Sequence, residues 1–178
     1  MMDQIILSGF GGQGVMFIGK VLAYAGLAGE LEVCWIPSYG PEMRGGTANC
    51  SVIISDAEIN SPVIDQADAA IVLNQPSYDK FLPRIKAGGV LVVNSSIVQS
   101  DNQRDDIHII SIPATDIANE LGRPALANMV CLGALVPKLK LIDMKVLQKA
   151  MDAVVGKKKP ELYEMNIQAI QKGIEYSK

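Results

Sequence analysis

Residues Ile6 to Val15 read ILSGFGGQGV. An apolar run meets a cluster of glycines and continues into helical spacing, which describes a buried strand, a tight turn and the start of a helix. Gly9, Gly11 and Gly14 match G-x-G-x-x-G, the spacing that lets backbone N–H groups approach a dinucleotide phosphate. A dinucleotide site also needs an acidic residue at the end of the next strand, to hold the ribose hydroxyls. Here that strand ends in Pro37-Ser38-Tyr39, and Glu30 and Glu32 fall before it or at its start. The fingerprint is therefore half present. Gly12-Gln13 inside the turn adds a large polar amide where the helix begins. Amides at a helix N-terminus bind any anion, and the same turn can also be no more than a tight connection.

Working outward, strands alternate with helices. Gln4–Ser8 is the first strand, and Val15, Ile18, Leu22 and Ala25 follow at helical spacing. Gly19, Ala23 and Gly26 beside them would let that helix lie close to a sheet. Glu32–Ile36, Thr47–Ser55, Ala69–Leu73, Gly89–Asn94 and Ile107–Ile112 read as further strands, the last stopped by Pro113. Tyr78–Ile85 reads as a short helix with Gly88-Gly89 as its terminator. From Thr115 onward the pattern is helical, and Pro160-Glu161 opens a last helix with the apolar stripe Leu162, Met165, Ala169, Ile170 and Ile174. The expected fold is α/β: three layers, a mostly parallel sheet, and a Rossmann-like N-terminal half. The stretch Asp56–Asn60 is hairpin-like and is expected to add antiparallel strands.

Composition narrows the function classes. The chain has 178 residues, 49% of them hydrophobic, enough for one well-filled domain spanning 1–178 and short for two. With 16 Lys and Arg against 19 Asp and Glu, the net charge is −3, which gives no electrostatic reason to expect nucleic acid. The run Lys157-Lys158-Lys159 reads as a solvated turn between helices. Cys34, Cys50 and Cys131 are widely spaced and form no Cys-x-x-Cys pair, so neither an iron–sulfur nor a zinc site is expected. Reduced, buried thiols in a cytoplasmic protein are the plain reading. Asp3 stands directly before the first strand, there is no basic n-region, and no apolar run reaches spanning length. Neither a signal peptide nor a membrane segment is expected. His108, the single histidine, lies in a strand pattern and reads as structural rather than as a general base.

A second segment is not generic linker. WIPSYGPEMRGGTANCSV, Trp35 to Val52, joins two strands through prolines, glycines, Tyr39 and the pair Glu42 and Arg44. Loops at the C-terminal ends of parallel strands are where α/β domains carry their chemistry. Arg44 before Gly45-Gly46 offers a guanidinium beside backbone that a ligand or partner can approach. Equally, Glu42 and Arg44 can pair with each other at the surface, which contributes little.

Together, GFGGQGV (Gly9–Val15) and SYGPEMRGG (Ser38–Gly46) resemble the gamma subunit of the 2-oxoacid:ferredoxin oxidoreductases, which act on pyruvate, 2-oxoglutarate, ketoisovalerate and related 2-oxoacids. The likeness continues through Ile59–Pro83, where ADAAIVLNQ (Ala67–Gln75) is the recognisable part. It extends to NMVCLGAL (Asn128–Leu135) and the helix carrying Glu164 and Asn166. It implies a partial enzyme. Alpha and beta subunits would hold thiamine diphosphate with magnesium, and a ferredoxin-like subunit would carry iron–sulfur clusters. The complex would convert a 2-oxoacid and coenzyme A to acyl-CoA and carbon dioxide, passing two electrons to ferredoxin. This chain would bind no cofactor by itself, and no GDG-type segment with a downstream asparagine is present to hold magnesium diphosphate.

Two classes of function follow. In the first, the chain is a subunit whose Gly9, Gly11, Gly12, Gln13 and Gly14, with Ser38, Tyr39, Glu42 and Arg44, line an interface or reach toward coenzyme A. In the second, it is a free-standing nucleotide-binding oxidoreductase using the Gly9–Gly14 turn. The missing second-strand acid argues against the second.

Overall fold

The computed structural model describes residues 1–38, 47–101, 104–156 and 159–178. The strands are β1 (Met2–Phe10), β2 (Glu32–Ser38), β3 (Thr47–Ser55), β4 (Ala67–Val72), β5 (Ile85–Asn94) and β6 (His108–Ile112). The helices are α1 (Val15–Ala28), α2 (Gln75–Phe81), α3 (Ala114–Glu120), α4 (Ala127–Leu135), α5 (Met144–Val155) and α6 (Pro160–Tyr176). Short 3-10 turns at Leu82–Arg84, Pro124–Leu126 and Val136–Lys138 join some of them.

The strands form one six-stranded sheet in the order β2-β3-β1-β4-β5-β6. β1, β4, β5 and β6 pair in parallel, as expected of an α/β fold. β3 is the exception. It runs antiparallel to both β1 and β2 and lies between them, with Met2 opposite Ser55 and Phe10 opposite Thr47. The antiparallel element is thus β3 itself, not an additional hairpin at Asp56–Asn60, which forms no strand.

Alternation along each strand divides the core in two. Ile5 and Leu7 of β1, with Val90 and Val92 of β5, face a thick side built from α1, α3, α4, α5 and α6. Ile6, Leu91 and Val93 face a thin side covered by Tyr78 and Phe81 of α2 and by Ile64, Val98 and Ile107. On the thick side α1 lies so near the sheet that a Cβ on Gly19 would come 2.6 Å from Cys50 Sγ and 2.7 Å from Trp35 Nε1. A Cβ on Gly26 would meet Val33 and Ile54. These small residues do the work expected of them.

α4 is buried at every residue from Asn128 to Leu135, because the sheet covers one side and α6 the other. An apolar stripe all round a helix requires that second cover. α6 provides it by backbone contact. A Cβ on Gly133 would fall on the Ile170 carbonyl, and one on Gly173 on the Val130 carbonyl and 2.7 Å from the Ala134 nitrogen.

The short helix α2 starts where Asn74 Oδ1 accepts from Ser77 N at 2.8 Å, with a proline in the first turn. It ends at Phe81, and Gly88-Gly89 does not terminate it. Those glycines lie inside β5, where the register against β4 jumps from Ala67–Ile85 to Ala69–Val90. Gly88 has φ +76, and a Cβ on Gly89 would stand 2.9 Å from the Asp68 carbonyl, so the pair forms a strand bulge.

Asp3, only 1% exposed, accepts from Leu141 N at 3.0 Å and from Lys140 N at 3.0 Å, tying the start of β1 to the segment before α5. Burial pushes its carboxyl above the ordinary 3.8, outweighing those N–H bonds and the Lys140 charge, with the Asp68 carboxylate pushing the same way. A raised carboxyl favours the folded chain at low pH, and that contribution is lost as pH rises through the folded value.

Gly173→Ala is expected to lower stability by about 1–3 kcal/mol or more, because backbone cannot move aside as a side chain can. A thermal melt indistinguishable from wild type would contradict this packing. Asp3→Asn removes the group that ionises, so the melting temperature of the variant relative to wild type should rise as pH goes from 3.8 upward. A difference that stays constant with pH would show that Asp3 does not titrate as described.

Candidate functional site

The glycine turn sits at the C-terminal ends of the parallel strands, where open α/β sheets bind their ligands. β1 ends at Phe10, Gln13 N donates to Phe10 O at 3.2 Å, and α1 begins at Val15. The left-handed positions are Gly12 (φ +95) and Gly14 (φ +78). Gly11, which the fingerprint singles out, is not among them. At Gly14 a side chain is excluded twice, since its Cβ would fall on the Asn128 side-chain amide. Among the described residues no side chain caps α1, which leaves the first amides of that helix without a side-chain acceptor there.

Gln13 has a definite task. Its Oε1 accepts from Phe10 N at 2.7 Å, and its Nε2 donates to Leu73 O at 3.0 Å, just past the end of β4. Gly9 leaves room for this, because a Cβ there would come 2.6 Å from Gln13 Oε1. Gly9 and Gly14 thus clear space for two side-chain amides, those of Gln13 and Asn128.

Asn128, near the start of α4, donates to Gly14 O at 3.4 Å and accepts from Met129 N at 2.8 Å. Asn94, at the end of β5, accepts from Ala114 N at 3.1 Å and donates to Thr115 Oγ1 at 2.9 Å, which anchors the start of α3. Gly12, Gln13, Leu73, Asn94, Ala125 and Asn128 line a cavity of about 250 Å³ between the turn and the start of α4. Asn94 and Asn128 were not among the residues assigned from sequence. A strand-end asparagine before Ser95-Ser96 is a signal for such local bonding. Nothing local announces Asn128, whose partner is 114 residues away.

Ser38 lies exposed at the end of β2, paired with Asn49. Tyr39, Glu42 and Arg44 lie outside the described residues. Their flanks are informative: Thr47 pairs with Phe10, the last residue before the glycine turn. The segment therefore leaves and rejoins the sheet at the same edge as Gly11–Gly14. His108 stands at the opposite edge, exposed at the start of β6.

The nucleotide reading fails on topology. In the Rossmann order the second strand lies beside the first, so its terminal acid reaches the ribose. Here β3 occupies that place and β2 is one strand further out. Burial pushes Cys50 up to about 11 and Cys131 up to about 12. Such thiols stay protonated and unreactive in the folded chain.

A family model described as pyruvate ferredoxin/flavodoxin oxidoreductase matches residues 4–176. The chain belongs to that family. It is 38% identical over 181 residues to the 2-oxoglutarate synthase subunit KorC of Methanocaldococcus jannaschii, covering 100% of this chain and 95% of that one. It is 33% identical to the ketoisovalerate oxidoreductase subunit VorA of Methanothermobacter thermautotrophicus, covering 98% of this chain but only 36% of that longer one. Among solved structures, the gamma subunit of a keto/oxoacid ferredoxin oxidoreductase from Geobacter sulfurreducens superposes with a TM-score of 0.83 at 32% identity, covering 98% of both chains. These full-length matches make it a gamma-type subunit of the 2-oxoacid:ferredoxin oxidoreductases.

Gly14→Ala should cost at least about 1–2 kcal/mol, the price of a left-handed non-glycine residue, before any displacement of Asn128. Gly11→Ala, at an exposed position without positive φ, should stay within about 0.5 kcal/mol of wild type. Chemical denaturation of the two variants checks this, and equal losses would mean that the turn is not as described.

Proposed function

We propose that residues 1–178 form one domain that works as the non-redox gamma subunit of a cytoplasmic 2-oxoacid:ferredoxin oxidoreductase, with its glycine-turn edge facing the acyl-transfer side of the complex. The observation that carries this reading is the cavity between the glycine turn that precedes α1 and the start of α4. Coenzyme A is an anion with several phosphates, and amides at a helix N-terminus favour negative charge. The turn and the segment carrying Tyr39, Glu42 and Arg44 would together bind coenzyme A or the neighbouring subunits.

Thiamine diphosphate, magnesium and the iron–sulfur clusters belong, on this reading, to the alpha, beta and ferredoxin-like partners. When bound there, the thiamine cofactor accepts the electron pair left when the 2-oxoacid loses carbon dioxide, and the clusters take two electrons onward to ferredoxin. The residues of this chain do none of that chemistry. Gly12 and Gly14 shape the turn, Gln13 and Asn128 hold it, and the free amides receive the anion. Among the described residues no group of three or more His, Cys, Asp or Glu is placed to hold a metal ion, and no helix is long and apolar enough to cross a membrane.

The isolated chain should show no 2-oxoacid oxidation, and activity without added subunits would contradict the proposal. In the assembled complex, Ala125→Glu puts a carboxylate on the exposed wall of the cavity. It should raise KM for coenzyme A roughly three- to tenfold, the equivalent of about 1 kcal/mol of near-surface repulsion. An unchanged KM would remove coenzyme A from this edge. Arg44→Lys keeps the charge but loses the forked donor pair, and should weaken coenzyme A use or subunit association while leaving the fold intact. Wild-type behaviour in kinetics and in pull-down of the thiamine-binding chains would reduce that segment to a solvated connection.

A further inference from the structure

We infer that Gln13 is a positioning residue for coenzyme A use: its carboxamide locks the glycine turn onto the end of β4 and so sets where Gly12 and Gln13 stand in the cavity wall. The inference rests on the coenzyme A reading of this edge and goes further, because it gives Gln13 a different kind of role from the glycines around it.

The lock is a closed ring of hydrogen bonds. Leu73 N donates to Ser8 O at 2.9 Å, which fixes the end of β4 to β1. Leu73 O then accepts from Gln13 Nε2 at 3.0 Å, and Gln13 Oε1 accepts from Phe10 N at 2.7 Å, two residues beyond Ser8. One planar group thus satisfies a strand-end acceptor and a strand-end donor on neighbouring strands. Only a carboxamide carries donor and acceptor in that arrangement, and asparagine is one methylene too short to span the turn. Gly9 is built to the same requirement, since its missing Cβ is the space that Oε1 fills. Both polar atoms of Gln13 are therefore spent inside the protein, although the side chain lines the cavity. Without them, among the described residues, the turn keeps the Gln13 N to Phe10 O bond, the Ile18 N to Gly14 O bond and the long contact from Asn128 to Gly14.

The test uses the assembled complex carrying Gln13→Met, which keeps length and bulk but removes both bonds, and Gln13→Glu. The glutamate variant keeps an acceptor for Phe10 N but turns a second acceptor toward Leu73 O until it is protonated. Loss of hydrogen bonds of ordinary strength should raise KM for coenzyme A roughly three- to tenfold in Gln13→Met, with kcat changing less. Hydrogen–deuterium exchange over Phe10–Gly14 should quicken in the same variant. Gln13→Glu should be defective at neutral pH and recover as pH falls, because the protonated carboxyl donates again.

The inference is overturned if both Gln13 variants keep the wild-type KM while Ala125→Glu raises it, an outcome that leaves the coenzyme A reading standing. It is also overturned if KM rises with exchange over Phe10–Gly14 unchanged, which would make Gln13 a direct contact. If Ala125→Glu and both Gln13 variants all keep the wild-type KM, the coenzyme A reading itself fails. Should Gln13→Met not assemble, the pH recovery of Gln13→Glu decides, and a KM that stays high at low pH counts against the lock.

Discussion

Placing β3 antiparallel between β1 and β2 is the constraint on which the rest depends. A strand–helix–strand crossover that set β2 beside β1 would give the Rossmann order. Because β3 fills that slot, Ser38 ends β2 and Thr47 begins β3 at the same edge as the glycine turn. The same strand takes the place from which a second-strand acid would hold a ribose, so the glycine turn lacks that partner.

The thick face follows from this sheet. α1 spans β3 and its neighbours closely enough that Gly19 and Gly26 admit no side chain, and α4 takes the next place under β4 and β5. α4 has no polar face, so it needs α6 as a second cover, and the two helices approach until their backbones touch at Gly133 and Gly173. This packing holds the start of α4 in place. From there Asn128 reaches Gly14, and the cavity between the helix starts has its far wall.

The site that results is assembled from strand ends and helix starts rather than from reactive side chains. Among the described residues lining its cavity, the polar side chains are carboxamides: those of Gln13, Asn94 and Asn128. Cys50 is buried behind α1, and that burial raises its thiol to about 11. Such an edge suits binding an anion or a protein surface, and it agrees with the place of a gamma-type subunit in a multi-subunit oxidoreductase.

Much of this was legible in the sequence. Apolar periodicity set the order of strands and helices, the glycines marked the turn, small residues marked the close face of α1, and the two long motifs marked the family. These are properties of neighbours in the chain, and local spacing reports them directly. Gly88-Gly89 was misread because two glycines after a helix and two glycines in a bulged strand look alike until the partner strand is known. The direction of β3, the bond from Gln13 to Leu73 and the reach of Asn128 to Gly14 depend on residues 60 and 114 positions apart meeting across the sheet. Only tertiary packing decides those, because a carboxamide in the sequence carries no record of which distant backbone group it will satisfy.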